Sequence, residues 1–366
     1  MSNEGEADRH LSPPKRQLSL SPDTSRSSKL PKSEPPRLPD EQSEIAMGQR
    51  NPGLQRYLVA VEYIGTLFSG SQKQPAFRTV VGVLEEAFQK FIGQPVSVVC
   101  SSRTDAGVHA LSNVCHIDVE RISKRKPGEV LPPHEPGVVR RAVNHFLQKN
   151  EGDITVTDVR CVPPDFHARY KALERTYHYR ILSGPEPLSA FEKNRAWHVP
   201  EDLDITAMKR ASSILVGHHD FSSFRAAGCQ ANSPMRTLVE LAVTEIFPAL
   251  YFPSIMERSA TELLDLDTSR RISTSSDASD AKTVKSENGR EFGHRLRHRC
   301  FVVTARSRSF LYHQVRLMVG VLKSVGTGDL TVSDVERIHD AKTVTAASPM
   351  APACGLYLGN VKYDLP

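Results

Sequence analysis

The chain has 366 residues, 39% hydrophobic and 24% charged, so its length allows two or three domains with ordinary cores. Its 47 Lys and Arg against 42 Asp and Glu give a net charge of +5, which excludes an extreme polycation. It lacks an apolar run of membrane-helix length, an N-terminal secretory signal and any C-x-x-C pair. We therefore expect an intracellular protein without disulfides or a thiolate zinc site, in the cytoplasm, nucleus or mitochondrion.

Two segments are predicted to be disordered. The first 50 residues contain seven Pro, nine Ser and no aromatic residue, and we assign residues 1–53 to a tail. Residues 253–291 also lack aromatic residues and are rich in Ser, Thr and Asp, which indicates an insertion inside a domain. Such segments bury too little apolar surface to offset the conformational entropy lost on ordering.

Residues 54–163 are predicted to form a first α/β unit. The period of the apolar residues indicates six elements in the order strand, helix, strand, strand, helix, strand. These elements are residues 57–63, 79–92, 95–100, 113–119, 137–148 and 154–161.

Residues 164–252 and 292–366 are predicted to form a second unit with the same order. Its elements are residues 176–182, 204–216, 237–247, 300–307, 311–325 and 355–363. A short extra helix follows Ser333, whose spacing to Glu336 indicates a capping box. The chain is therefore predicted to be α+β, with two tandem ferredoxin-like units and a central, mostly antiparallel sheet.

Two clusters combine cations with aromatic rings. Seven arginines lie between Arg290 and Arg316, interleaved with aromatic residues, and a second cluster runs from Asp165 to Arg180. Cations bind phosphates and rings stack on bases, so the pair favours RNA or another polyanion as partner. For either cluster alone, a solvated strand edge beside ordinary core aromatics is an equally good interpretation.

The loop SSRTDAGVHA, residues 101–110, joins two predicted strands. By spacing alone Asp-Ala-Gly indicates a turn in which Asp105 bonds its own backbone. Arg103 lies two residues away, however, and an arginine within pairing range keeps a partly desolvated carboxylate ionised, as a nucleophile requires. The loop holds no second acid of the kind that a glycosidase uses.

Other catalytic motifs are missing from the chain. His218, His219 and Asp220 suggest a metal site or a triad, yet there is no H-E-x-x-H, G-x-S-x-G, Walker loop or G-x-G-x-x-G. A polar turn after a helix is the simpler interpretation, and no metal site is predicted.

Four sequence blocks follow one another: S-R-T-D-A-G-V-H-A, D-F-H-A-R-Y with R-T-Y-H-Y, H-D-F-S-S-F-R, and F-L-Y-H-Q-V-R-x-M-V-G. In this order they resemble the TruA-type tRNA pseudouridine synthases. The resemblance covers nearly all of residues 56–363 apart from the insertion, and it is closest to the eukaryotic tRNA pseudouridine synthase-like 1 branch, which shares S-S-R-T-D-A-G-V-H-A-L-S-N.

The resemblance implies a pseudouridine synthase fold and assigns roles to four residues. Asp105 matches the catalytic aspartate, which attacks the target uridine as the bond from N1 to C1′ breaks, after which uracil turns and bonds through C5. Arg103 and Arg316 match arginines that pair with the aspartate and hold the base outside the helix. Tyr177 matches the tyrosine that stacks on the base and removes the C5 proton. The substrate is tRNA, no cofactor or metal is required, and a homodimer without membrane association is implied.

The chain departs from the family pattern at three positions. Ile64 and Ser71 replace the Asp and Trp of Y-D-G-x-x-x-x-G-W-Q, and Met235 stands where another Trp is frequent. We expect these positions to shape RNA contacts and packing around the catalytic loop. Two alternatives to a uridine isomerase are an RNA-binding or chaperone protein with lost or minor activity, and a hydrolase that releases free uracil.

Overall fold

The computed structural model describes residues 53–126, 128–149, 151–246, 298–347 and 349–365. The predicted insertion and residues 1–52 of the predicted tail lie outside the described residues. The strands are β1 (Leu54–Tyr63), β2 (Val98–Cys100), β3 (His109–Glu120), β4 (Ile154–Val162), β5 (Glu174–Ser183), β6 (Trp197–Val199), β7 (Gly217–Asp220), β8 (Met235–Ile246), β9 (Arg299–Ser307) and β10 (Leu356–Lys362). The helices are α1 (Val80–Ile92), α2 (Pro136–Leu147), α3 (Ile205–Ile214), α4 (Gln314–Gly326) and α5 (Val332–Ala341).

All ten strands belong to one sheet with the order β4-β1-β3-β10-β5-β9-β8-β7, in which β2 pairs with β3 and β6 with β5. Among the strands of the described residues, only the β3–β10 and β5–β6 pairs are parallel. The predicted α+β class with a mostly antiparallel sheet is thus confirmed. Within each half the strands follow the order expected of a ferredoxin-like unit, although the described residues from 53 onward belong to one compact unit. The division of the chain at residue 163 stays a prediction.

The junction of the two halves brings distant residues together. Ala110 of β3 pairs with Leu358 of β10, and Leu358 in turn pairs with Tyr177 of β5. Neighbouring strands lie about 4.8 Å apart, so Tyr177 is only two strands from the beginning of β3. The loop 101–108, which leads into β3, therefore lies beside the second half of the chain.

Helix α1 shows how the apolar pattern becomes packing. The side chain of Thr79 accepts a hydrogen bond from the Gly82 N–H and begins the helix, and Gly93 ends it with φ of +88°. Val80, Leu84 and Phe88 are fully buried against the sheet. Burial of such side chains stabilises the fold by roughly 1.5–3 kcal/mol each.

Helix α4 carries a site residue and is buried on nearly every face. Its sequence, QVRLMVGVLKSVG, leaves only Arg316 and Lys323 outside the buried set. At Gly320 a side chain is excluded, because a Cβ atom would lie 1.9 Å from the Pro349 carbonyl oxygen. The glycine therefore lets residues 349–351 pack directly on the helix.

Two local predictions are wrong. The capping box of α5 is formed by Thr331 and Asp334, not by Ser333 and Glu336, because the helix begins two residues earlier than predicted. Residues His218–Asp220 are not a turn but belong to edge strand β7, which pairs with the beginning of β8. No helix among the described residues is long and apolar enough to cross a membrane.

Candidate active site

The loop 101–108 is held by buried polar contacts on both of its sides. The Thr104 N–H donates to Ser71 Oγ at 2.8 Å, and the Ser71 N–H donates to the Thr104 carbonyl at 3.0 Å. The Thr104 hydroxyl also bonds the hydroxyl of Tyr63 at 2.8 Å. Thr104 and Ser71 are 7% and 1% exposed, so these bonds are shielded from water. They fix the backbone directly before Asp105.

Asp105 points its carboxylate at helix α4. Arg316 Nη1 lies 3.3 Å from Asp105 Oδ2, and His313 Nε2 lies 3.1 Å from the same oxygen. Arg316 is itself oriented by residues 349–351, which pack on Gly320, because its Nε donates to the Ala351 carbonyl at 2.8 Å. The carboxylate is 28% exposed and the arginine 12%, so their attraction is less screened than that of a surface pair.

Arg103 does not form the predicted pair with Asp105. It is exposed, and it has no ion-pair partner among the described residues, whereas its neighbours Ser102 and Thr104 are buried. The loop buries the hydroxyl residues and leaves the longer, charged side chain in solvent, so the arginine beside Asp105 is Arg316. Arg103 nevertheless lines the same cleft, and a role toward substrate stays a prediction.

Tyr177 lies in the sheet below the loop. It is 9% exposed, and its ring is perpendicular to that of Phe310 at a centroid distance of 5.2 Å. Burial raises the pKa of Tyr177 to about 12, with Asp105 adding to the rise and the cation of Arg175 opposing it. The phenol is therefore neutral near pH 7.

Arg175 ties the loop to the second half of the chain, and the sequence analysis assigned it no role. Its guanidinium donates to Ser102 Oγ at 3.1 Å, to the Ser101 carbonyl at 3.0 Å and to the Arg308 carbonyl at 2.5 Å. Burial lowers the pKa of Arg175, a cost offset by these bonds to oxygen acceptors. Arg175 lies in the R-T-Y-H-Y block, two positions before Tyr177. This short distance to a predicted site residue could have indicated its role.

These side chains face a cleft of about 1550 Å³. This volume exceeds the roughly 300–1,000 Å³ of a typical small-molecule site. One lysine and five arginines line it: Lys73, Arg103, Arg169, Arg175, Arg236 and Arg316. Of the two acids in the lining, Glu85 pairs with Lys73, which leaves Asp105 as the carboxylate beside Arg316 and Tyr177.

The two predicted basic clusters contribute less to the cleft than their composition suggested. In the first, Arg299 pairs with Glu245 and Arg306 with Glu240 across β8 and β9, and Arg290, Arg295 and Arg297 lie outside the described residues. Arg299 and Arg306 therefore fit the alternative interpretation, in which the cluster is a solvated strand edge.

In the second cluster Tyr179 is a fully buried core residue and Arg180 pairs with Glu192. Arg169 and Tyr170 remain at the margin of the cleft, and Tyr170 is 71% exposed.

The histidines singled out in the sequence have ordinary partners. His218 bonds the Thr237 hydroxyl, His219 bonds the Val216 carbonyl, and Asp220 accepts from the Ser222 N–H. Across the described ranges, no three His, Cys, Asp or Glu side chains are grouped to hold a metal ion.

Ser71 offers a test of how the loop is held. We expect Ser71→Ala to lower the free energy of unfolding by about 1–2 kcal/mol, because the buried Thr104 N–H loses its acceptor. Denaturant titration measures the loss, and hydrogen exchange locates it at Thr104. Ser213→Ala is the control, since within the described ranges that exposed hydroxyl bonds only the carbonyl of Lys209 in the preceding helical turn. Equal stability of the two variants would contradict the assigned role.

One continuous, mostly antiparallel sheet, with the Asp105 carboxylate beside Arg316 in a large cationic cleft, is typical of an enzyme that acts on a polyanion such as RNA. A family model described as tRNA pseudouridine synthase matches residues 59–171 and 211–364.

Curated relatives carry the same name. The tRNA pseudouridine synthase A of Methylobacterium nodulans is 38% identical over 84% of this chain and 96% of its own length. That of Rhodospirillum centenum is 38% identical over 85% of this chain and 100% of its own. The chain belongs to the tRNA pseudouridine synthase family, an isomerase family that converts uridine to pseudouridine in tRNA. The resemblance to TruA-type enzymes is thereby confirmed.

Proposed function

We propose that this protein converts specific uridines of tRNA to pseudouridine, with Asp105 as the nucleophile. The observation that carries the proposal is the position of the Asp105 carboxylate, 3.3 Å from the Arg316 guanidinium inside a cleft that Tyr177 also lines. The guanidinium attracts and orients the carboxylate, and a carboxylate oxygen is a nucleophile that attacks carbon.

The reaction balances without any added reagent. An oxygen of Asp105 bonds to C1′ as the bond from C1′ to N1 breaks and its electron pair leaves with uracil. The uracil turns within the cleft, its C5 bonds to C1′, and the carboxylate leaves. One proton is lost from C5 and one is added at N1, so the product is an isomer of the substrate. Confinement of the free uracil beside the sugar makes its return faster than its escape.

Tyr177 is proposed as the group that removes the C5 proton. Its phenol is neutral near pH 7, and burial raises its pKa to about 12, which leaves almost no phenolate. The hydroxyl is therefore proposed to act as a relay: its oxygen accepts the C5 proton as its own proton passes to water, and water supplies the proton that N1 gains. The ring, held perpendicular to Phe310, offers a face on which the turned-out base stacks.

The cationic lining is proposed to offset the free energy of base flipping. A uridine inside a helix cannot turn over, and its extrusion costs a few kcal/mol. Arg103 is exposed in the cleft and free of ion pairs within the described part of the chain, so we propose that it contacts the RNA backbone or the flipped nucleotide. Arg169 beside the exposed Tyr170 ring provides a further cation at the margin.

The function is tested with cellular tRNA labelled with tritium at uridine C5. We expect the full-length protein to release tritium into water and to leave an equal amount of pseudouridine in the RNA. Binding without release supports an RNA-binding or chaperone protein and overturns the proposal. Free uracil in the chromatogram, with no pseudouridine, indicates a hydrolase and overturns it equally. Single-base mapping of pseudouridine in cells with and without the protein identifies the target uridines.

Three finer properties are proposed on the resemblance alone. The segment S-S-R-T-D-A-G-V-H-A-L-S-N at 101–113 supports membership of the eukaryotic tRNA pseudouridine synthase-like 1 branch. A homodimer that forms the RNA cleft and an intracellular location are proposed on the same basis.

A further inference from the structure

His313 is held in a conformation that few side chains adopt. It precedes helix α4 with φ of +61°, in the left-handed region, where histidine is one of the few tolerated residues besides glycine. Its ring stacks on Tyr312 at a centroid distance of 3.7 Å, and its carbonyl accepts the Leu317 N–H at 3.0 Å. A conformation of this kind costs free energy and persists only where the surroundings hold it.

The contact that this conformation provides is with Asp105. His313 Nε2 lies 3.1 Å from Asp105 Oδ2, and the imidazole is 15% exposed. Burial lowers the pKa of His313, and the cation of Arg316 lowers it further while Asp105 opposes them. The imidazole is thus neutral near pH 7. A neutral ring approaches a carboxylate favourably only with its proton on the near nitrogen, here Nε2.

The two closest contacts of the carboxylate fall on one oxygen. Arg316 Nη1 and His313 Nε2 each come nearest to Oδ2, and no hydrogen bond to Oδ1 is formed among the residues that the structure describes. We infer that His313 is a positioning residue that, together with Arg316, holds Asp105 Oδ2 so that Oδ1 is presented to C1′ of the target uridine. The inference rests on the proposed function, because it names which oxygen of that nucleophile attacks.

A pH dependence follows from the groups around the ring. Asp105 faces it from the loop, Arg316 from helix α4 and Tyr312 from its own turn. Below the lowered pKa of His313 the imidazolium draws negative charge from the carboxylate and weakens it as a nucleophile. The rate therefore falls as the pH drops through a value below the usual 6.5 of histidine.

The test compares two replacements of the ring. His313→Gly keeps the left-handed backbone and removes the contact, and His313→Gln restores an amide N–H of similar reach. We expect the Gly variant to lose about 10- to 100-fold in kcat with KM and RNA affinity little changed, and the Gln variant to regain about tenfold. In neither variant does the rate fall at low pH as the wild-type rate does. His218→Gly, on an edge strand outside the cleft, is the matched control.

A kcat for His313→Gly within about twofold of wild type overturns the inference. The inference is also overturned if the rate of the Gln variant falls at low pH as the wild-type rate does. A ring with a merely structural role would leave that fall unchanged.

A titration of the imidazole by NMR separates this inference from the proposed function. Asp105 raises the pKa of His313, so Asp105→Asn is expected to lower it, whether or not the protein makes pseudouridine. If the pKa of His313 is the same in the Asp105→Asn variant as in the wild type, the contact is not formed, and this result overturns the inference alone. A lower pKa of His313 in the Asp105→Asn variant, combined with a wild-type protein that forms no pseudouridine, overturns the proposed function and with it the attack by Oδ1, while the contact itself stands.

Discussion

Asp105→Asn is expected to lower the rate of pseudouridine formation by about 10⁴-fold or more, because the amide has no charge with which to attack C1′. The amide matches the carboxylate in size and keeps an oxygen for Arg316, so the loop held by Ser71 is expected to remain folded. RNA affinity should stay the same or rise slightly, since an anion has been removed from a cationic cleft. Single-turnover tritium release and filter binding measure the two effects on one preparation.

A second aspartate controls for the loss of an ion pair. Asp118 accepts two bonds from Arg56 at 2.6 Å and does not line the cleft. Asp118→Asn is therefore expected to reduce stability while leaving the rate per folded molecule close to wild type. If Asp105→Asn retained more than about a hundredth of the activity, Asp105 would not be the nucleophile.

Tyr177→Phe is expected to slow the overall reaction by about 100-fold, because it removes the oxygen that accepts the C5 proton and keeps the ring that faces Phe310. The pKa of Tyr177 is raised to about 12, so the phenol stays protonated below about pH 10. The pH profiles of the wild type and the Phe variant should consequently have the same shape between about pH 6 and 10. Steady-state tritium release across that range gives both results.

A further substitution separates the hydroxyl from the ring. Tyr177→Leu also removes the stacking surface, so it should lose another factor of about ten and bind tRNA more weakly. Tyr57→Phe is the matched control, because this buried hydroxyl donates to the His134 carbonyl and does not line the cleft. If Tyr177→Phe released tritium at the wild-type rate, another group would be the one that takes the C5 proton.

The local pattern of the chain predicted most elements and their order. Helix α1 illustrates the reason, since its cap at Thr79, its apolar face and its final Gly93 are all set by neighbours within one turn. The prediction for α5 was wrong by two residues because Thr331 and Ser333 both have an acid three positions later, and only the observed helix start distinguishes them. Edge strand β7 was missed because its four residues show no apolar alternation and form only by pairing with β8.

For the candidate site too, local motifs predicted some residues, and contacts between distant residues decided the others. The motif around Asp105 predicted this acid as the nucleophile, a role that stays a prediction. The later block containing Arg316 predicted its partner, although 211 positions separate the two in the chain. The preference for Arg316 over the nearer Arg103 was not predictable locally, because it depends on which side chains the loop buries. The roles of His313 and Arg175 also depend on contacts with residues far away in sequence.

By itself the amino-acid sequence determined the α+β class, the order of most elements and the family, and it predicted the catalytic acid, because each depends on residue type at short spacing. Only the tertiary structure decided which cation meets Asp105, which of its oxygens is held, and which arginines are already paired across β8 and β9. The physical reason is that β3 and β10 join the two halves side by side. Electrostatic contacts act over a few ångströms in space, and distance along the chain does not reveal them.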